Sequence, residues 1–415
     1  MLRIDIFTTG RDALLSLPSP LINFRAMKYA VFNLFFKDVQ KYTIVATTFL
    51  SALLFSQSIQ SQSPENKMGN KVSSKGQPVI LPGANQSDIY FPLLKGKRIA
   101  VVGNQTSVLL NQDGSVSMHL VDYLLENQFG VSKVFSPEHG FRGDGDAGEK
   151  IQSDIDKKTG LPLVSLYGNN KKPKPEQLQD IDIVVFDLQD VGVRFYTYIS
   201  TLHYVMEACA EANIPIVVLD RPNPNIDIVD GPVLEMAHKS FIGMHRVPLL
   251  YGMTIGEYGQ MINGEQWIAK KASLTVIPIA NYNRTMRYSL PVAPSPNLRT
   301  DNAIAWYASL CLFEGTVVSV GRGTDKPFEQ IGHPDYPEKK HSFTPKPRYG
   351  AKDPLLNGKL CYGIDFSKEV APRKLSLGPI LDFYKKLPNK AQFFLKNNFI
   401  HLLAGNSALK QQIIS

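Results

Sequence analysis

Two β-branched runs decide what this chain can fold into. Ile181-Asp182-Ile183-Val184-Val185-Phe186 and Ile214-Pro215-Ile216-Val217-Val218-Leu219 are short and almost wholly apolar. A strand apolar on both faces must be covered on both faces, as in a parallel sheet between helices. Parallel neighbours need a crossover long enough to hold a helix. Residues 197–212 supply one, with Leu202, Val205, Met206, Cys209 and Ala210 on a single face. Upstream, strand patterns at 98–103, 133–135 and 163–167 alternate with helical spacing at 118–127 and 175–179. The alternation predicts the α/β class: a right-handed, mostly parallel sheet with helices on both sides.

After Asp230 the pattern loosens. Thr254 reads as the cap of a helix over 254–261, followed by a strand at 274–279 and an extended loop at 294–298. A helix over 303–310 and a strand over 313–320 are predicted next. A long proline- and charge-rich loop then covers 328–354, and helices near 376–386 and 390–402 complete a smaller C-terminal α+β unit. The polar, Ser/Asn/Gln-rich stretch before Ile89 reads as a tether. The organisation expected is a leader over 1–62, a flexible linker over 63–88, a sheet domain over 89–305 and an auxiliary domain over 306–415.

The leader reads as an export signal. Lys37 and Lys41 precede the apolar run Tyr42–Phe55, which is too short for a firm membrane span and suited to a signal core. Met27 is an alternative start, and an uncleaved anchor is the competing reading. The expectation is a periplasmic or secreted protein with no stable membrane span after cleavage. The chain's net charge is +8, of which 1–62 carry +3. The balance suits an acidic substrate but is too diffuse to argue nucleic-acid binding. Three widely spaced cysteines, Cys209, Cys311 and Cys361, argue against a disulfide framework or a cysteine zinc site.

The strand ends carry the chemistry. Ser136-Pro137-Glu138-His139-Gly140-Phe141-Arg142-Gly143 follows one strand, Asp187 to Tyr198 the next, and Asp220-Arg221-Pro222-Asn223-Pro224-Asn225 a third. Each holds a carboxylate and an arginine where open α/β sheets bind ligands, and this regularity predicts a shared site. Gly143-Asp144-Gly145-Asp146-Ala147-Gly148 matches G-x-G-x-x-G only formally: no strand directly precedes it, and its aspartates would repel a pyrophosphate. No G-x-S-x-G elbow or zinc spacing is present, and no cofactor or metal is expected. Glu138, Asp187, Asp190, Asp220 and Glu314 are the candidate acid–base carboxylates. Arg142, Arg194, Arg221, Arg299 and Arg322 are candidate carboxylate binders, and Tyr196 and Phe328 candidate stacking surfaces. Several of these arginines are equally suited to pairing with the aspartates.

Taken together, these motifs resemble a bacterial glycoside hydrolase family, the exo-β-N-acetylmuramidases. The similar stretches are Val102–Thr106, Ser136–Gly143, Phe186–Tyr198, Leu219–Pro224, Ser295–Leu298, Phe313–Thr316 and Ser319–Phe328, in the expected order over about 88–412. The resemblance implies a Rossmann-like domain without a dinucleotide, an auxiliary C-terminal domain and a site at their interface. It implies release of N-acetylmuramic acid from the non-reducing ends of peptidoglycan fragments. Glu138 would be the catalytic acid, with Asp187, Asp190 or another carboxylate as partner. Asn104, His139, Arg142, Arg194, Tyr196, Asp220, Arg221, Asn223, Asn297, Glu314, Arg322 and Asp325 would contact the saccharide. The chain stops about a helix short of the usual family length, which leaves truncation as an expectation. Another exo-hexosaminidase and a two-lobed periplasmic sugar-binding protein are the competing readings.

Overall fold

The computed structural model describes residues 79–138, 140–142 and 154–415. The expected leader, the linker up to residue 78, His139 and the 143–149 segment lie outside the described residues.

Six parallel strands form the central sheet: β1 (Arg98–Gly103), β2 (Gly130–Ser136), β3 (Pro162–Ser165), β4 (Ile183–Asp187), β5 (Ile216–Leu219) and β6 (Leu274–Ile277). Their order is β6-β5-β4-β1-β2-β3, and Asp154–Ile155 adds an antiparallel edge beside β3. This is the Rossmann order, with the winding reversing between β1 and β4. The β-branched runs are buried on both faces. Val101, Val185 and Val217 pack toward helices α1 (Ser87–Leu94) and α2 (Leu120–Glu126). Val102, Phe186 and Val218 pack toward α3 (Tyr198–Ala212), α4 (Ile255–Gly264) and α5 (Asp301–Leu310). Caps fix where two of these helices begin. The Thr254 hydroxyl accepts from Glu257 N while the Glu257 side chain accepts from Thr254 N, and the Thr300 hydroxyl accepts from Ala303 N.

Folding begins earlier than the sequence suggested. Leu81 pairs with Ala280, and Gly83 N donates to Asp220 O at 2.8 Å. A side chain at Gly83 would sit 2.5 Å from Ile277 O, so glycine is what lets this segment lie on the sheet.

The C-terminal part holds an antiparallel sheet of β7 (Gln330–His333), β9 (Cys361–Asp365) and β8 (Ser342–Phe343), in that order, with α6 (Gly378–Lys386), α7 (Phe399–Ala404) and α8 (Ala408–Ile414). The strand expected over 313–320 is absent. Cys311–Gly315 instead continues α5 as a 3₁₀ turn, closed by Thr316 Oγ1 donating to Phe313 O at 2.7 Å. Phe313, Val318 and Val320 are buried there, and an apolar run alone does not separate a buried strand from a buried turn. The loop expected over 328–354 contains β7 and β8. Phe313, Phe328, Phe383 and Ile400 belong to the same apolar cluster as Leu202 and Tyr307, so one core runs through both parts.

Candidate active site

A cavity of about 240 Å³ opens where the carboxyl ends of the strands meet the C-terminal part. The sheet side contributes Glu138, Tyr167, Tyr196, Thr197 and Tyr198; the far side contributes Glu314, Arg322, Phe328 and Phe399. Glu138 lies on the loop after β2. Thr197 Oγ1, at the start of α3, donates to Glu138 Oε2 at 3.2 Å, and the Tyr167 hydroxyl also hydrogen-bonds the carboxyl. Tyr198 is held in place by Asn104, whose Nδ2 donates to the Tyr198 hydroxyl at 2.7 Å. Burial, and then the charge of Glu138, push the Tyr167 phenol well above its ordinary value, so it stays a donor. Tyr196 forms the wall, with its hydroxyl donating to Pro294 O at 2.6 Å.

On the opposite wall Arg322 Nε donates to Glu314 Oε1 at 2.7 Å, and Cys311 Sγ donates to Glu314 Oε2 at 3.3 Å. The guanidinium lies over the Phe328 ring, 4.9 Å from its centroid. Burial lowers the Arg322 pKa, but the charge and hydrogen bond of Glu314, with smaller contributions from Tyr307 and Cys311, together hold the group above its ordinary value. Arg322 sits between two glycines with φ near +76° and +79°, a backbone that other residues rarely adopt. Among the described residues no protein acceptor binds either Arg322 Nη.

Most other predicted site residues are used up in holding the sheet together. Asp187 Oδ1 and Oδ2 accept from Arg221 Nε and Nη2 at 2.6 and 2.8 Å, with both side chains buried, and Arg221 Nη2 also donates to Val108 O. Asp187 is therefore the anionic half of a closed ion pair rather than a cavity carboxylate. Asp220 accepts from Thr254 Oγ1 and Gly256 N at the start of α4, and burial pushes it up to about 6. Asp190 accepts from Gly192 N and from the Tyr251 hydroxyl; it is buried, also raised to about 6 by that burial, and among the described residues its Oδ1 has no hydrogen-bond partner. Asn223 spans Met253 O and Asn225 N. Arg194 donates to Pro232 O and Val247 O, and to Leu403 O and Ala404 O at the end of α7. Its four acceptors are carbonyls, and burial lowers it to about 10.

The remainder do not line the cavity. Arg142 pairs with Asp156 at 2.8 Å, Asn297 Nδ2 donates to Gly350 O, Arg299 to Pro296 O, and Asp325 is an exposed partner of Arg348. Of the predicted residues, the cavity brings together Glu138, Tyr196, Glu314, Arg322 and Phe328. Sequence reasoning missed Tyr167, Thr197, Tyr198, Phe241 and Phe399. Tyr167 follows β3, and its strand-end position was a usable signal; Phe241 and Phe399 carried none.

Two family models match the chain: Exo-beta-N-acetylmuramidase NamZ, N-terminal, over residues 99–302, and its C-terminal counterpart over 305–415. The peptidoglycan beta-N-acetylmuramidase NamZ of Bacillus subtilis (strain 168) is 44% identical over 297 residues, 69% of each chain. A crystal structure of a DUF1343 family protein from Bacteroides fragilis NCTC 9343 superposes with a TM-score of 0.73 at 43% identity, over 81% of this chain and 90% of that one. A second DUF1343 protein from the same organism gives 0.70 at 28% identity, over 81% and 91%.

Proposed function

Because this chain belongs to the exo-beta-N-acetylmuramidase NamZ family of glycoside hydrolases, we propose that it releases N-acetylmuramic acid from the non-reducing ends of peptidoglycan fragments. The observation that carries the reading is one cavity holding a hydrogen-bonded carboxyl, Glu138, across from the Glu314–Arg322 pair. Glu138 is the general acid: its proton passes to the glycosidic oxygen as the C–O bond breaks, and a water oxygen ends on the anomeric carbon. Thr197 and Tyr167 fix the carboxyl's orientation. Glu314, not Asp187 or Asp190, is the second carboxylate, because it lines the cavity while Asp187 is paired with Arg221 and Asp190 is buried against Gly192 N and the Tyr251 hydroxyl.

The 2-acetamido group of such a substrate has a carbonyl able to attack the anomeric carbon, one of the exceptions to two-carboxylate hydrolysis. Glu314 would then accept the acetamido N–H. In the rival inverting route Glu314 would activate water. Arg322 offers its two Nη groups as a fork for the lactyl carboxylate that distinguishes muramic acid from glucosamine. Export remains part of the proposal, supported by the basic flank and apolar run at 37–55; mapping the mature N-terminus by mass spectrometry tests it.

The decisive experiment is turnover of a chromogenic β-N-acetylmuramide beside the matching glucosaminide. Cleavage of the first in clear preference to the second is expected, and equal cleavage would move the chain to the general hexosaminidases. Anomer-resolved NMR of the first product separates the two routes: an initial α-anomer from the β-linked substrate means inversion.

A further inference from the structure

We infer that the saccharide leaving the cavity is held by an aglycone subsite, a ramp built from Tyr167, Phe241, Tyr204 and Lys171; the inference rests on the glycosidase reading above. A cavity of about 240 Å³ is small beside typical ligand pockets of roughly 300–1,000 Å³ and suits one sugar ring. An enzyme that trims a polymer from its end must therefore carry the rest of the substrate outside that cavity.

The ramp lies where that remainder would emerge. Tyr167 and Phe241 border the cavity, while Tyr204 and Lys171 border a neighbouring open depression of about 590 Å³. Phe241 joins the two. Its ring stacks on Tyr204, with centroids 6.2 Å apart and planes 16° from parallel, and meets Tyr167 edge-on at 6.5 Å. Lys171 Nζ stands 4.5 Å from the Phe241 centroid. All four residues are half-buried, so each keeps part of its surface in solvent.

The chemistry fits an alternating amino-sugar chain. Sugar rings present C–H faces to aromatic surfaces, and aromatic walls with a few placed polar groups are what binding sites use. A carboxylate on the following muramic acid unit needs a cation. Lys172 is already committed to Glu207 and Glu211, each at 2.8 Å. Lys171 has no carboxylate partner among the described residues and sits on the ramp itself.

The test compares chain lengths. Wild-type protein, Lys171→Glu and Tyr204→Ala are assayed on the chromogenic β-N-acetylmuramide and on a natural tetrasaccharide ending in muramic acid. Neither substituted residue borders the catalytic cavity. Both variants should keep the monosaccharide rate and lose roughly tenfold in kcat/KM on the tetrasaccharide, the scale of one aromatic or charged contact. The Lys171→Glu loss should shrink as salt rises. Equal losses on both substrates, or no loss on the tetrasaccharide, overturn the subsite while leaving the glycosidase reading standing. Failure of wild-type protein to cleave the monosaccharide overturns that reading and the subsite together.

Discussion

Two acid–arginine pairs, Asp187–Arg221 at the strand ends and Glu314–Arg322 on the cavity wall, share their chemistry and differ in what is left over. The first is closed: both carboxylate oxygens are taken, Arg221 spends a further bond on Val108 O, and neither side chain reaches solvent. The second is open: one guanidinium nitrogen holds the carboxylate, and each side chain is about a quarter exposed, 25% for Arg322 and 24% for Glu314. Buried charges cost several kcal/mol each to desolvate, so a sealed pair persists only when its hydrogen bonds are fully satisfied. A sealed carboxylate with both oxygens bonded has nothing to offer a ligand. The open pair keeps donors in reserve, as the proposed recognition of a carboxylate requires.

The comparison breaks most visibly at Glu138. Glu138→Gln should cut kcat by roughly 10²–10⁴ on a substrate with a poor leaving group, with an unchanged melting temperature. Near-wild-type turnover of a natural disaccharide would remove Glu138 from the acid's role. Asp187→Asn tests the opposite prediction. It strands a buried arginine and should cost about 3–5 kcal/mol of stability in denaturant titration. A soluble, fully stable variant with lost activity would instead return Asp187 to the site.

Asp190 sharpens the boundary between the two regions. Burial raises its carboxyl to about 6, above the ordinary value near 4. The folded state then holds this proton more tightly than the unfolded chain. The stability so gained is full below about pH 4 and is lost as pH rises through 6. Asp190→Asn should remove a pH-dependent term on the order of 2–3 kcal/mol, read as a flatter stability profile between pH 4 and 7. An unaltered profile would mean that Asp190 does not titrate there. The smallest effect is expected at Arg322→Lys. Loss of the planar fork should weaken N-acetylmuramic acid binding by about tenfold or somewhat more and spare N-acetylglucosamine in competition assays. Equal weakening of both would mark Arg322 as merely structural.

The sheet was largely legible because β-branched runs buried on both faces have few other fates. The helix at 198–212 followed from its apolar stripe, and the α4 cap from Thr254. The site was legible only in part, because partner choice is tertiary. Arg221 reaches Asp187 across 34 residues, and nothing in the spacing distinguished that contact from one with a ligand. Glu314 was found by residue type, yet its segment was misassigned: Phe313 and Val318 fit a buried turn as well as a strand. Phe241 and Phe399 line the cavity without any local pattern to announce them.

Arg194 carries a consequence for how this protein comes into being. Its guanidinium, three residues before Thr197, donates to the carbonyls of Leu403 and Ala404, 209 and 210 residues further along the chain. Those carbonyls are synthesised long after Arg194, so the wall beside Glu138 stays unfinished until the C-terminal part has been made. The N-terminal part is thus no separable module that could be traded to another auxiliary domain. A new neighbour would have to offer a helix end at the same spot, with carbonyls where Leu403 and Ala404 place theirs.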